Sequence, residues 1–429
     1  MSSLNKPAII SSRFIRCQAA SLLLYQSVLS SEVGHTFLHL LHTLGRNEEN
    51  RLACLIAYGE WFQALANRGK SWQDYLIGRI LRDDNPFTRQ VQRVAVNDLP
   101  SALVSAAQQD LLNLQSLYEC SGEQISRWVQ KASQLEVEPI PWSVESLQST
   151  FLQQKSNWAD ALEDLAAYYR QHGTGLWAEY RALHWQSGQL VGIAHPDPVQ
   201  LEELRGYDSQ KATLVKNTEF LLAGYPALHV LLYGSRGSGK SSLVKGLLQN
   251  YSSRGLRLIE VAKSDLKELP AIVEQVRDLP QKFIIFVDDL SFEEDDDAFK
   301  ALKVVLEGSV TARPPNVVVY ATSNRRHLVR EFFGDRPRPS DNDEVHGWDT
   351  VQEKLSFSDR FGLTLTFEPA NQNTYLQIVQ HLANRAGINL PQEELEYRAL
   401  QWATRHNGRS GRSARQFVDF LRGELAMSH

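Results

Sequence analysis

A chain of 429 residues, 42% hydrophobic and 22% charged, has the composition of a folded globular protein and is long enough for two or three domains. Its formal net charge of -5 supplies no global basic field, so nucleic acid is a possible partner through a local patch but is not implied by charge. Three widely spaced cysteines, Cys17, Cys54 and Cys120, exclude a disulfide framework or a CxxC knuckle and are expected as reduced core thiols of a cytoplasmic protein.

The first long uncharged run, Cys17 to Ser31, follows Arg13 and Arg16 but carries Gln18, Ser21, Gln26 and Ser27. It is too short to span a bilayer and is read as an amphipathic core helix, so no membrane partner is expected. Apolar residues at three- and four-residue spacing, as in "EVGHTFLHLLHTLGR" and "DALEDLAAYYRQHGTGLWAEYRALHWQ", predict a helical domain over residues 1–190. Seven of the nine tryptophans fall between Trp61 and Trp185 within those apolar periods, which assigns them to core packing. No chemistry is legible here, so residues 1–190 are left as the place where an unknown partner binds. Two prolines and a charged run in "IAHPDPVQLEELRGYDSQK" mark a linker over 191–205.

Beyond the linker, apolar runs alternate with helical segments: "HVLLYG" (229–234), "LRLIEVA" (256–262), "FIIFVDD" (283–289), "VVVYATS" (317–323) and "LTLTF" (363–367). Runs this continuous predict parallel strands covered on both faces, giving an α/β domain over 206–369. Only helical patterns come after it, so 370–429 is expected to be a small helical domain.

The first of these strands runs into Gly234-Ser235-Arg236-Gly237-Ser238-Gly239-Lys240-Ser241, which fits GxxxxGK[ST] at every fixed position; Ser242 continues into the helix. Glycines at those positions let backbone N–H groups turn inward onto phosphates, and the following helix adds the positive end of its dipole. Lys240 would neutralise the β- and γ-phosphates, and the Ser241 hydroxyl would ligate Mg²⁺. About fifty residues on, "FIIFVDDL" ends a buried strand in two acids: Asp288 to hold Mg²⁺ through water, and Asp289 to orient or deprotonate an attacking water.

These motifs resemble those of AAA+ P-loop ATPases. Gly234 to Ser241 resemble Walker A and Phe283 to Asp289 resemble Walker B. "VVVYATSN" resembles the sensor 1 strand with Asn324 as its polar residue, "SDRFG" the arginine-finger box with Arg360, and "GRSGRSARQF" sensor 2 with Arg412 or Arg415. The segments "GYDSQK", "FVDDLSFE" and "YATSNRRHL" are more closely similar to a bacterial AAA+ family known only as a domain of unknown function. The double aspartate resembles, more distantly, that of helicase loaders. The resemblance implies a five-stranded parallel sheet in the order 5-1-4-3-2 with 370–429 as a helical lid. It also implies ATP and Mg²⁺ as ligands, Gly206, Tyr207 and Gln210 near the adenine, and Arg360 reaching the γ-phosphate of a neighbouring copy in a homo-oligomer.

The chain departs from that family pattern at two places. Asp289 stands where most such chains have glutamate, and "EVAKSDLKELP" lacks the aromatic-hydrophobic-glycine loop of protein-threading rings. The expected activity is ATP hydrolysis that remodels or loads a protein or nucleoprotein partner, with an ATP-gated scaffold of negligible turnover as the alternative. The acids Glu293 to Asp297 are read as a solvated helix start, and the basic run Arg325, Arg326, His327, Arg330, Arg336 and Arg338 as a contact for an adjacent subunit or nucleic acid.

Overall fold

The computed structural model describes residues 11–45, 51–145, 149–291, 297–307, 312–324, 359–406 and 408–427. They divide into two units, Met1–Glu179 and Tyr180–His429. The basic run after Asn324 and the acids Glu293 to Asp296 lie outside the described residues. No helix among the described residues is long and apolar enough to cross a membrane.

The first unit is helical because its apolar residues recur on single helix faces. Val33, Phe37, Leu40 and Leu41 line the buried side of Glu32–Leu44, and Ala57, Trp61, Ala64 and Leu65 that of Arg51–Arg68. Phe37 and Trp72 meet with ring centroids 4.1 Å apart, and Trp61 stands edge-on to Trp72 at 6.2 Å. The Trp72 indole N–H donates to the Leu117 carbonyl at 2.8 Å, so a large apolar ring is buried without an orphaned donor.

The segment expected as one helix from Cys17 to Ser31 is broken. The helix Ser12–Ala20 ends and a 3-10 helix, Tyr25–Leu29, begins after it. At the break the fully buried carboxylate of Asp110 accepts from the backbone N–H groups of Leu23 (2.9 Å), Leu24 (2.7 Å) and Tyr25 (3.0 Å). One anion thereby satisfies three donors that a continuous helix would have satisfied itself. Cys17, expected in the core, is exposed on the first helix, while Cys54 and Cys120 are buried. Burial pushes the Cys120 thiol up to about 12.

The second unit is built on a sheet of seven strands in the order β2-β1-β4-β5-β6-β3-β7. These are β1 (Ala182–Gln186), β2 (Gln189–Ile193), β3 (Val230–Gly234), β4 (Leu256–Glu260), β5 (Lys282–Val287), β6 (Val317–Ser323) and β7 (Leu363–Phe367). Strands β3 to β7 pair in parallel with their neighbours. The five-stranded, all-parallel sheet expected from the sequence is therefore corrected to a mixed sheet of seven.

The added pair is an antiparallel hairpin. Its two-residue turn, Ser187 and Gly188, has φ 51 and 82, the left-handed pair that favours tight hairpins, and β1 then pairs in parallel with β4. It lies within "RALHWQ" and "QLVGI", residues that the helical reading and the linker had absorbed.

Past β7 the helices Gln372–Arg385, Gln392–Arg405 and Gly411–Met427 close around their own core. Tyr375, Ile378, Val379 and Leu382 recur at helical spacing on the first helix and meet Phe417, Val418 and Leu421 of the last.

Replacing Asp110 by Ala leaves three N–H groups without their acceptor and is expected to lower the stability of the first unit by about 2–4 kcal/mol. Asp110→Asn, which keeps one acceptor oxygen, is expected to lose less. Thermal unfolding of the full chain followed by tryptophan fluorescence checks both.

Candidate functional site

The parallel order sends the ends of β3, β5 and β6 to the same edge of the sheet, and the loop after β3 lies there. Gly234 has φ 135, and a Cβ on it would stand 2.0 Å from the Phe367 carbonyl oxygen, so only glycine lets the chain turn away from β7 at this point. The Ser235 N–H then donates to that carbonyl at 2.9 Å. Gly237 and Gly239 also have positive φ, 73 and 89, and Gly239 caps the helix Lys240–Tyr251. The N-terminus of that helix, with its unpaired N–H groups, faces a cavity of about 780 Å³.

Lys240, only 6% exposed, is drawn back into the loop. Its Nζ donates to the carbonyls of Gly234 at 3.0 Å and Ser235 at 2.8 Å and lies 3.4 Å from Asn324 Oδ1. Burial lowers its pKa from the ordinary lysine value, opposed by the nearby charges of Asp288 and Asp289. The Ser241 hydroxyl donates to Asp288 Oδ1 at 2.6 Å. The same oxygen accepts from Thr322 Oγ1 at 2.5 Å.

Asp289 takes a conformation uncommon for a side-chain-bearing residue, with φ 52, a strain on the order of 1 kcal/mol. Its N–H donates to Thr322 Oγ1 at 3.0 Å, and the next N–H, of Leu290, to the Thr322 carbonyl at 2.7 Å. Its carboxylate accepts from Asn324 Nδ2 at 2.7 Å. Thr322 therefore fixes the positions of both acids, a role the sequence reading missed. The signal available was a hydroxyl two residues before Asn324, near the end of a largely apolar strand.

The other expected residues fall in different surroundings. Arg236, Ser238, Ser242, Arg412 and Arg415 line the cavity. Tyr207 lines it too, with its ring 5.1 Å from that of Phe367 and its hydroxyl donating to the Glu368 carbonyl at 2.6 Å, while burial raises its pKa. Gln210 donates instead to the Thr366 carbonyl at 2.8 Å and does not line the cavity. Val199, Leu204, Ile378 and Leu382 supply an apolar wall between the approach segment and the last helices. Arg360, expected to reach a neighbouring copy, has a side chain only 16% exposed that is ion-paired with Glu307.

The family described as "Protein of unknown function (DUF815)" matches residues 178–425, more than half of the chain, and the chain belongs to that family. Among curated proteins none matches. Solved structures similar to it include the RuvB Holliday junction branch migration motor of Thermotoga maritima, at 15% identity and TM-score 0.37, over 54% of this chain and 66% of that one. A single-site variant of that RuvB matches at 16% identity and TM-score 0.38, over 54% of this chain and 67% of the other. The chain thus spans just under two thirds of the first of these relatives.

Thr322→Val keeps the shape of the side chain but loses both hydroxyl bonds, and is expected to destabilise the second unit by about 1–3 kcal/mol. Thr322→Ser is expected to recover most of that. Denaturant midpoints of the two variants decide.

Proposed function

We propose that the chain is a Mg²⁺-dependent ATPase that works as a homo-oligomer, a ring or partial ring, to remodel or load a protein or nucleoprotein partner engaged by residues 1–190. A further part of this reading is a cytoplasmic location. One observation supports the nucleotide assignment above the rest: Lys240, Ser241, Asp288, Asp289 and Asn324 meet at a single cavity, at the mouth of a glycine loop.

The side chains suit the ligands. Among the described residues no group of three or more His, Cys, Asp and Glu stands ready to enclose a metal ion. One hydroxyl and one carboxylate 2.6 Å apart are the sparse oxygen set that suits Mg²⁺ bound together with phosphate and water. When bound there, Mg²⁺ would offset charge on the β- and γ-phosphate oxygens. Ser241 and Asp288 would hold it, and Lys240, kept at the loop by two carbonyls, would meet the same phosphates. Asp289 would accept the proton of the attacking water, and its bond from Asn324 would hold the carboxylate in line for that role. The apolar wall of Leu204, Ile378 and Leu382, with the ring of Tyr207, suits a base. Arg360 would complete the site of the next copy, where a planar permanent cation offsets charge building on the γ-phosphoryl group.

A second reading has an observation of its own. Asp289 is one methylene shorter than glutamate and its carboxylate is engaged by Asn324 at 2.7 Å, which favours an ATP-gated scaffold with negligible turnover.

Lys240→Ala is expected to weaken ATP binding about 10- to 100-fold, the cost of losing a charged hydrogen-bond donor. Asp289→Asn is expected to bind ATP as the wild type does while phosphate release falls about 10²- to 10⁴-fold. Binding measured with a fluorescent ATP analogue and a phosphate-release assay separate the outcomes. Undiminished binding by Lys240→Ala contradicts the nucleotide site. Wild-type binding without any release, with assembly unchanged in Asp289→Asn, selects the scaffold.

A further inference from the structure

The approach segment into the α/β fold is anchored in two directions. Toward the sheet, the Tyr207 hydroxyl and the Gln210 amide donate to the carbonyls of Glu368 and Thr366, and Lys211 Nζ donates to the Leu204 carbonyl at 3.1 Å. Toward the last helices Glu203 makes a double link. Glu203, its side chain 16% exposed, accepts from Arg385 at 3.3 Å through one oxygen and from Arg415 at 2.7 Å through the other. Arg385 ends the helix Gln372–Arg385 and Arg415 lies near the start of Gly411–Met427, so one carboxylate joins two helices of the lid to the segment beside the cavity.

Chemistry makes this pairing consequential. Glu203 lines the same cavity as the glycine loop, where an unpaired carboxylate would repel phosphate. Two arginines on one glutamate reverse the sign of that part of the rim. Arg415 commits its Nη2 to a carboxylate, and that charge-assisted bond ties its guanidinium to Glu203. Arg412 is placed differently: its backbone N–H donates to the Gly237 carbonyl at 3.2 Å, which carries it onto the glycine loop itself.

We propose that Glu203 is a positioning residue of the nucleotide site: by pairing with Arg385 and Arg415 it seats the lid on the approach segment and commits Arg415 to that attachment, leaving Arg412 as the lid arginine that meets the polyphosphate. This rests on the nucleotide reading of the cavity.

The test is a mutant cycle on the full chain, read by binding of a fluorescent ATP analogue and by kcat and KM for phosphate release. Glu203→Gln and Arg415→Ala are each expected to weaken binding about fivefold, and the double variant no further than either, because they break the same pair. Both are expected to raise KM more than they lower kcat. Arg412→Ala is expected to lower kcat, and its effect to multiply with that of Glu203→Gln because the two act separately. Glu203→Asp, which keeps the charge, is expected to restore most of the loss, and the half-exposed Arg415 supplies a readout if Glu203→Gln does not fold.

Independent effects of Glu203→Gln and Arg415→Ala overturn the proposal. So does an Arg415→Ala variant that loses kcat while Arg412→Ala does not. A wild type that binds no ATP, or a Lys240→Ala variant that binds it equally well, overturns the nucleotide reading and this proposal with it; intact Lys240 dependence with independent Glu203 and Arg415 effects overturns this proposal alone.

Discussion

One carboxylate oxygen holds the site together. Asp288 Oδ1 accepts from Ser241 on the helix after the glycine loop and from Thr322 on β6, while its own backbone directly follows β5, so three elements meet at one acceptor. A shared acceptor of this kind sets distances more tightly than separate contacts would, since moving any element strains both bonds. The neighbouring Asp289 depends on it in turn. Its left-handed backbone persists because Thr322 takes its N–H and Asn324 takes its carboxylate.

The parts of the site that depend on local chemistry were legible in the sequence. A glycine loop between a buried strand and a helix admits few other uses, and two acids ending the next but one apolar strand share its edge of the sheet once the strands are parallel. What escaped was set by long-range pairing. Thr322 reads as one more strand residue until β6 is placed next to β5. Glu203 reads as part of a charged linker until the last helices bring Arg385 and Arg415 to it. The β1–β2 hairpin was hidden because "ALHWQ" has apolar residues that satisfy a helical period as well as a strand's, and the decisive sign was the Ser187-Gly188 turn after it. The break in the uncharged run from Cys17 has no local sign, because the carboxylate that takes the freed N–H groups lies some ninety residues away, at Asp110.

The first unit stands apart chemically. Its conspicuous polar residues serve its own architecture: Asp110 takes three N–H groups, and the Tyr169 hydroxyl, fully buried, donates to the Ile80 carbonyl at 2.8 Å. Its tryptophans Trp61, Trp72 and Trp158 are buried rather than displayed.

The central claim is an ATPase that needs a neighbour. Phosphate release from Mg²⁺·ATP, measured per subunit across a series of protein concentrations for wild type and Arg360→Ala, tests it most directly. The account predicts turnover that rises with concentration in the wild type and falls about 10³-fold in the variant with ATP binding retained. Turnover that is independent of concentration and indifferent to Arg360 would contradict it.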